Sequence, residues 1–130
     1  MLNIRETRLI DNAASDPFEE TRRPLASLMS KSEQAQQKLP PGTWQYRMLQ
    51  DNLQALHLAS ALMNREAADT HGFARSDFQQ ALSAFASMIG RSEKALNNFA
   101  PGTSQHTLLR NRLKALRIAE TLIKTELGGV

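Results

Sequence analysis

The sequence predicts an all-α protein: an antiparallel four-helix bundle built from two tandem αα-hairpins with a period of sixty residues. Three observations lead there. First, residues 18–70 shifted forward by sixty positions lie on 78–130 without a gap, and seventeen of the fifty-three pairs are identical. They include Phe18/Phe78, Ser32/Ser92, Glu33/Glu93, Pro41/Pro101, Gly42/Gly102, Thr43/Thr103, Gln45/Gln105, Leu53/Leu113, Leu56/Leu116 and Glu66/Glu126. A repeated unit constrains architecture before any single residue does. Second, apolar residues recur at spacings of three and four, and the strict alternation of a half-buried strand is absent. Third, Leu and Ala are abundant while aromatics make up only 5% of the chain, which favours helices over a β-sandwich.

The first helix is expected over 17–38. Asp16 is a good N-cap, Pro17 suits the first helical position, and Glu19 falls three after the cap. Its stripe is Phe18, Thr21, Leu25, Leu28, Ser32, Ala35 and Leu39. Pro40-Pro41-Gly42 ends it, because proline cannot continue a helix and disfavours the α region before it. Gly42 is free to take a positive φ, and Thr43 caps the helix expected over 44–68. There Leu49, Leu53, Leu56, Ser60 and Met63 form the stripe, widened by Ala55, Ala59 and Leu62, and the helix ends in Asp69-Thr70-His71-Gly72.

The second copy repeats the plan. Ser76 or Asp77 caps a helix over 77–98, with Gln79 three after Ser76 and a stripe of Phe78, Leu82, Phe85, Met88, Ser92, Ala95 and Phe99. Pro101-Gly102-Thr103 is the corner. The last helix, 104–127, carries Leu109, Leu113, Leu116, Ala119, Ile123 and Leu127 and stops at Gly128-Gly129. Each helix is about 30–40 Å long at helical rise. Two hairpins of equal length bury their stripes best against each other, with an internal pseudo-twofold. A two-unit solenoid leaves both end faces bare. The hairpins can instead pair between chains, giving a homodimer. The expected organisation is an arm or short extra helix over 1–15 and one helical domain over 16–130, with repeats at 16–70 and 76–130.

Composition narrows the function classes. The chain has 130 residues, 41% apolar and 22% charged, which suits one globular domain with a proper core. Without cysteine there is neither a disulfide framework nor a thiolate metal site. The opening residues lack a signal-peptide core, and no run approaches a membrane span. A cytoplasmic protein with no membrane partner is the expectation. The net charge of +3 is uneven: residues 1–70 hold eight Lys/Arg against nine Asp/Glu, and residues 71–130 hold eight against four.

That excess gathers on the last helix. Arg110, Lys114, Arg117 and Lys124 share one face, with Arg112 off it, and Arg91 and Lys94 add to the field from the helix before. The matching first-copy residues are Gln50, Gln54, His57 and Asn64, so the stripe belongs to one copy. Read functionally, it is an anion or nucleic-acid face that holds a phosphate backbone without reading sequence. Read plainly, it is a solvated surface. No aromatic interleaving and no helix-turn-helix support base recognition.

Trp44 and Tyr46, in the first turn after the first corner, are candidate partner contacts, since such aromatics anchor interfaces. The alternative is that they close the end of the bundle. The two Pro-Gly-Thr-x-Gln corners offer free N–H groups to an anion, but turn and cap chemistry already explains Pro, Gly and Thr. Gln45 and Gln105 are expected to bridge back towards Glu33 and Glu93. Ser32 and Ser92 on the stripe mark either a polar pocket or a close helix approach with the hydroxyl bonded to the preceding turn.

Catalytic signatures are missing. Glu33, Glu66, Glu93 and Glu126 put one acid on each helix, but the paired Glu-x-x-His motifs of a di-iron bundle are absent. In a tight hairpin Glu33 faces a residue near 49, leaving Glu66 about 25 Å away. His57, His71 and His106 show no i, i+4 pairing, and there is neither a nucleophile elbow nor a phosphate loop. The expectation is therefore a non-catalytic interaction or structural module with no cofactor and no metal, the alternative being weak sequence-independent nucleic-acid binding. The duplicated hairpin resembles no characterised family.

Overall fold

A computed structural model describes residues 16–64 and 72–128. They form four α-helices and no strand: α1 (Glu19–Gln37), α2 (Trp44–Asn64), α3 (Arg75–Leu96) and α4 (Ser104–Gly128). The arm expected over 1–15, the end of the second helix, Glu66, His71 and Gly129 lie outside the described residues.

The two corners are built alike. At the first, the Thr43 N–H donates to the Pro40 carbonyl at 3.4 Å across Pro41 and Gly42, whose φ is +96°. The second has Thr103 N–H to the Ala100 carbonyl at 3.2 Å, with Gly102 at +94°. Proline second and positive-φ glycine third is the arrangement of a type II turn. Each threonine then caps: Thr43 Oγ1 accepts from the Tyr46 N–H and Thr103 Oγ1 from the His106 N–H, both at 3.2 Å. The same hydroxyls donate back to the Pro40 and Ala100 carbonyls. The helices before both corners close with N–H bonds to the third carbonyl back, at Lys38 and Asn97, which tightens the last turn.

The outer helices start elsewhere than expected. Asp16 does not cap α1. Its Oδ1 accepts the Phe18 N–H, its carboxylate is engaged by Arg22 Nε at 3.2 Å, and the first helical bond runs from the Arg22 N–H to the Phe18 carbonyl. Pro17 therefore stands ahead of the helix. In α3 neither Ser76 nor Asp77 is the cap; Ala74 is, and the helix begins at Arg75. Asp77 serves as the third helical residue, its Oδ2 accepting the Ala74 N–H at 2.8 Å. An acid there satisfies a donor left free by the first turn and favours the positive helix end.

All four helices meet in one apolar core. Neighbours are α1 with α2, α2 with α3, α3 with α4 and α4 with α1, and α2 also touches α4 across the centre. Among the described residues α1 and α3 do not meet. The central pair accordingly supplies most of the core: Leu53, Ala55, Leu56, Leu58, Ala59 and Met63 from α2, and Leu109, Leu113, Ala115, Leu116, Ala119 and Ile123 from α4. From α3 come Ala81, Ala84, Phe85 and Met88, and from α1 Leu25 alone among apolar residues. The predicted stripes hold best through their middles; near the corners Leu109 is buried, but Ala35 is exposed and Phe99 is 37% exposed. Leu58 and Asn52 are buried although neither was on the predicted stripe.

Pro24 lies inside α1. It has no N–H to give the Glu20 carbonyl, so the helix lacks one internal bond. At the matching place in α3 stands Ala84.

Candidate interaction surfaces

The face of α4 that sequence charge singles out is solvent-facing: Arg110, Lys114, Arg117 and Lys124 are all exposed. Two of them carry acidic neighbours. Arg117 Nη2 is paired with Glu93 of α3, and Lys124 Nζ is 3.7 Å from Glu120 one turn back. Among the described residues Arg110 and Lys114 make no ion pair. Arg91 and Lys94 are exposed on α3. Arg112, off this face, is half-buried, and burial pulls its guanidinium below the ordinary arginine range.

Arg110, Lys114 and Arg117 share a groove of about 580 Å³ that Lys124 does not join. Its floor is apolar: Leu113, Ile118 and Leu122 from α4, Phe18 ahead of α1, and Leu96 at the end of α3. Sequence reasoning found the cations but not this floor. The available signal was Ile118 and Leu122, which interleave with the basic residues along α4. An adjoining cleft of about 780 Å³ runs between the start of α1 and α4, where Lys114 shares the lining with Asp16, Glu19, Glu20 and Arg23. The basic field of α4 is thus bounded by acids on the α1 side.

The first half handles the matching surface differently. Gln50 stands where Arg110 does, and Gln36 Nε2 donates to its Oε1 at 2.7 Å and to the Tyr46 carbonyl at 3.3 Å. This polar clamp fastens α1 to α2 beside the corner. The bridge was expected from Gln45 and Gln105. Both are exposed instead; Gln105 accepts only from its neighbour Ser104, because a first-turn side chain on that face points away from the preceding helix. Leu58, matched to Ile118, is buried at the base of a smaller cleft of about 280 Å³ between α2 and α3, which Gln54, His57 and Phe73 also line, Phe73 standing edge-on to Phe78 at 6.4 Å between ring centres. Ile118 is only half-buried.

Trp44 and Tyr46 do not share a surface. Trp44 is 63% exposed and lines a cleft of about 440 Å³ between α2 and α3, beside Arg47, Met48, Asp51, Asn52 and Gln80. There Gln80 Nε2 donates to Asp51 Oδ1 at 3.1 Å. Tyr46 is half-buried and lines none of this cleft; its backbone serves the Thr43 cap and the Gln36 clamp.

Ser32 and Ser92 are buried, and neither lines any of these clefts. No buried side-chain nitrogen or oxygen among the described residues lacks a hydrogen-bond partner. The bond back to the preceding turn expected at these serines is seen at Thr121 and Thr125, whose hydroxyls donate to the carbonyls four residues earlier at 2.9 Å. Glu33, Glu93 and Glu126 are exposed, and among the described residues no three His, Asp or Glu side chains gather as a metal site would require. No helix among them is long and apolar enough to cross a membrane.

No protein-family model matches the chain, and neither a curated protein nor a solved structure is recognisably similar to it.

Proposed function

We propose that this chain is a non-catalytic cytoplasmic interaction module: an antiparallel four-helix bundle of two duplicated helical hairpins that acts through its outer helical faces. The observation that carries the reading is the division of labour among residues. The turns, the caps and much of the central core use residues shared by the two halves, as Thr43 with Thr103 and Leu56 with Leu116 do. Among the exposed positions that differ, three put cations along an apolar groove on α4. A groove rimmed by charge and floored by hydrocarbon has the composition of a binding surface.

Supporting the hairpin reading, Gln36 meets Gln50 close to the first corner while Arg22 reaches the Met63 carbonyl at 3.0 Å far from it. Arg117 pairing with Glu93 straddles the second corner in the same sense. The duplication is supported by the matching hydrogen bonds of the two corners.

Sequence-independent nucleic-acid binding through Arg110, Lys114, Arg117 and Lys124 is the second reading. It rests on the exposure of all four and is weakened by the acids beside Arg117 and Lys124. Affinity capture with the immobilised full chain separates the two. The module reading expects a stoichiometric protein partner retained after nuclease treatment. Retention that disappears with nuclease, or falls steeply with salt and with Arg110, Lys114 and Arg117 neutralised, transfers the function to nucleic acid. Equal recovery by a Trp44→Ala/Tyr46→Ala variant discards the aromatic contact.

A further inference from the structure

We propose that the groove over α4 seats an acidic amphipathic helix. This rests on the interaction-module reading and names its partner's chemistry. The groove follows α4 from Arg110 to Leu122. Twelve residue steps at helical rise make about 18 Å, enough for roughly three turns of a partner helix. Its floor of Phe18, Leu96, Ile118 and Leu122 takes an apolar stripe at three- and four-residue spacing, the way an amphipathic helix lies between two others.

Charge selects the flank. Arg110 and Lys114 rise one turn apart beside that floor and make no ion pair among the described residues. A partner with Glu or Asp beside its apolar stripe meets both. Asp16, Glu19 and Glu20 line the adjoining cleft beyond Lys114, so the acidic flank belongs on the Arg110 and Lys114 side of the floor. There a basic partner is repelled, and a neutral one forgoes the encounter steering that opposite charge provides. Arg117 keeps Glu93 and sets the far limit of the charged rim. The apolar floor distinguishes this surface from a phosphate-backbone site, which has no use for hydrocarbon between its cations.

The contrast with the first half is a second, independent argument. There the rim is Gln50, Gln54 and His57, Gln50 is held by Gln36, and the floor residue Leu58 is buried. In the second half the clamp is lost at both ends: Leu96 replaces the glutamine on the outer helix, Arg110 replaces its partner, and Ile118 is half-buried where Leu58 is buried.

The test is fluorescence anisotropy with the full chain and a labelled synthetic eighteen-residue helix carrying Leu on one stripe and Glu on its flanks. The same peptide with Gln for Glu is the control. The expected result is binding at low salt, weakened about fivefold or more by the Gln peptide and, equally, by Arg110→Gln/Lys114→Gln, whose exposed sites leave folding untouched. Ile118→Asp should abolish it, with helicity by circular dichroism verifying the fold. Binding indifferent to the two cations overturns the proposal. So does a preference of the same surface for duplex DNA or anionic vesicles over the peptide. Self-association lost on Ile118→Asp would make the occupant a second copy, and a Leu9→Asp/Ile10→Asp chain that gains peptide binding would make it the chain's own leading residues; either result overturns the proposal. A natural partner still retained by Arg110→Gln/Lys114→Gln removes the groove and leaves the module reading standing.

Discussion

Residues 16–64 and 72–128 each hold two helices joined by a Pro-Gly-Thr corner, but the first helix of each pair is seated by different contacts. Helix α3 buries Ala81, Ala84, Phe85 and Met88. At the first three of those places α1 has Thr21, Pro24 and Leu25, and at the fourth a half-buried Leu28. The smaller apolar side chain and the proline leave α1 with less buried hydrocarbon and one fewer backbone bond. In return it is tied by polar contacts: Gln36 to Gln50, and Arg22 to Asp16, Asn64 and the Met63 carbonyl. Helix α3 adds deeper packing to polar ties of its own, Arg75 to the Leu127 carbonyl, Gln80 to Asp51 and Glu93 to Arg117, whereas α1 has the ties with less packing. What differs least is what backbone geometry forces, the Pro-Gly-Thr corners and the central faces of α2 and α4.

The largest effects should come from the core. Phe85→Ala is expected to cost about 3–5 kcal/mol and Leu25→Ala about 2–4, with the phenylalanine the greater loss, measured by denaturant unfolding. Equal losses would mean α1 is seated as firmly as α3. The matched pairs Leu56/Leu116 and Leu53/Leu113 should cost about 2–5 kcal/mol each when cut to alanine, and members of a pair should agree within about 1 kcal/mol. Near-zero values would show the buried stripe to be misassigned.

Next comes Pro24→Ala, which restores the N–H that α3 has at Ala84. It should stabilise by about 1–2 kcal/mol, the gain in helix propensity less the greater freedom of the unfolded chain. A fall in Tm would assign the proline a packing role. Thr43→Ala and Thr103→Ala should each cost about 1 kcal/mol and match one another, since the two caps have the same bonds. Smallest is Glu93→Gln, which removes the exposed partner of Arg117 and should move stability by no more than about 0.5 kcal/mol.

Sequence made the helices and corners legible because each rests on a local rule. Proline, positive-φ glycine and a threonine cap act within four residues, and the helical stripe repeats within seven. The starts of α1 and α3 were misplaced by about one turn or less, because Asp16 and Asp77 are both good caps in isolation. Their tertiary or reciprocal bonds, to Arg22 and to the Ala74 N–H, decide the outcome. The cations of α4 were legible as a helical face. The apolar floor was not, because Phe18, on the stripe predicted for the first helix, reaches it from ahead of α1, and Leu96, off the predicted stripe, reaches it from the end of α3. The separation of Trp44 from Tyr46 was legible from the expected helix alone, since two residues along a helix turn a side chain by more than half a circle.

The most direct test of the divergence between the two halves is a set of two-dimensional amide spectra of the full chain titrated with the acidic amphipathic peptide. Shifts should concentrate over residues 110–122 and at Leu96, leaving 50–62 in place. Equal movement on both faces, or movement confined to the Trp44 cleft, would contradict it.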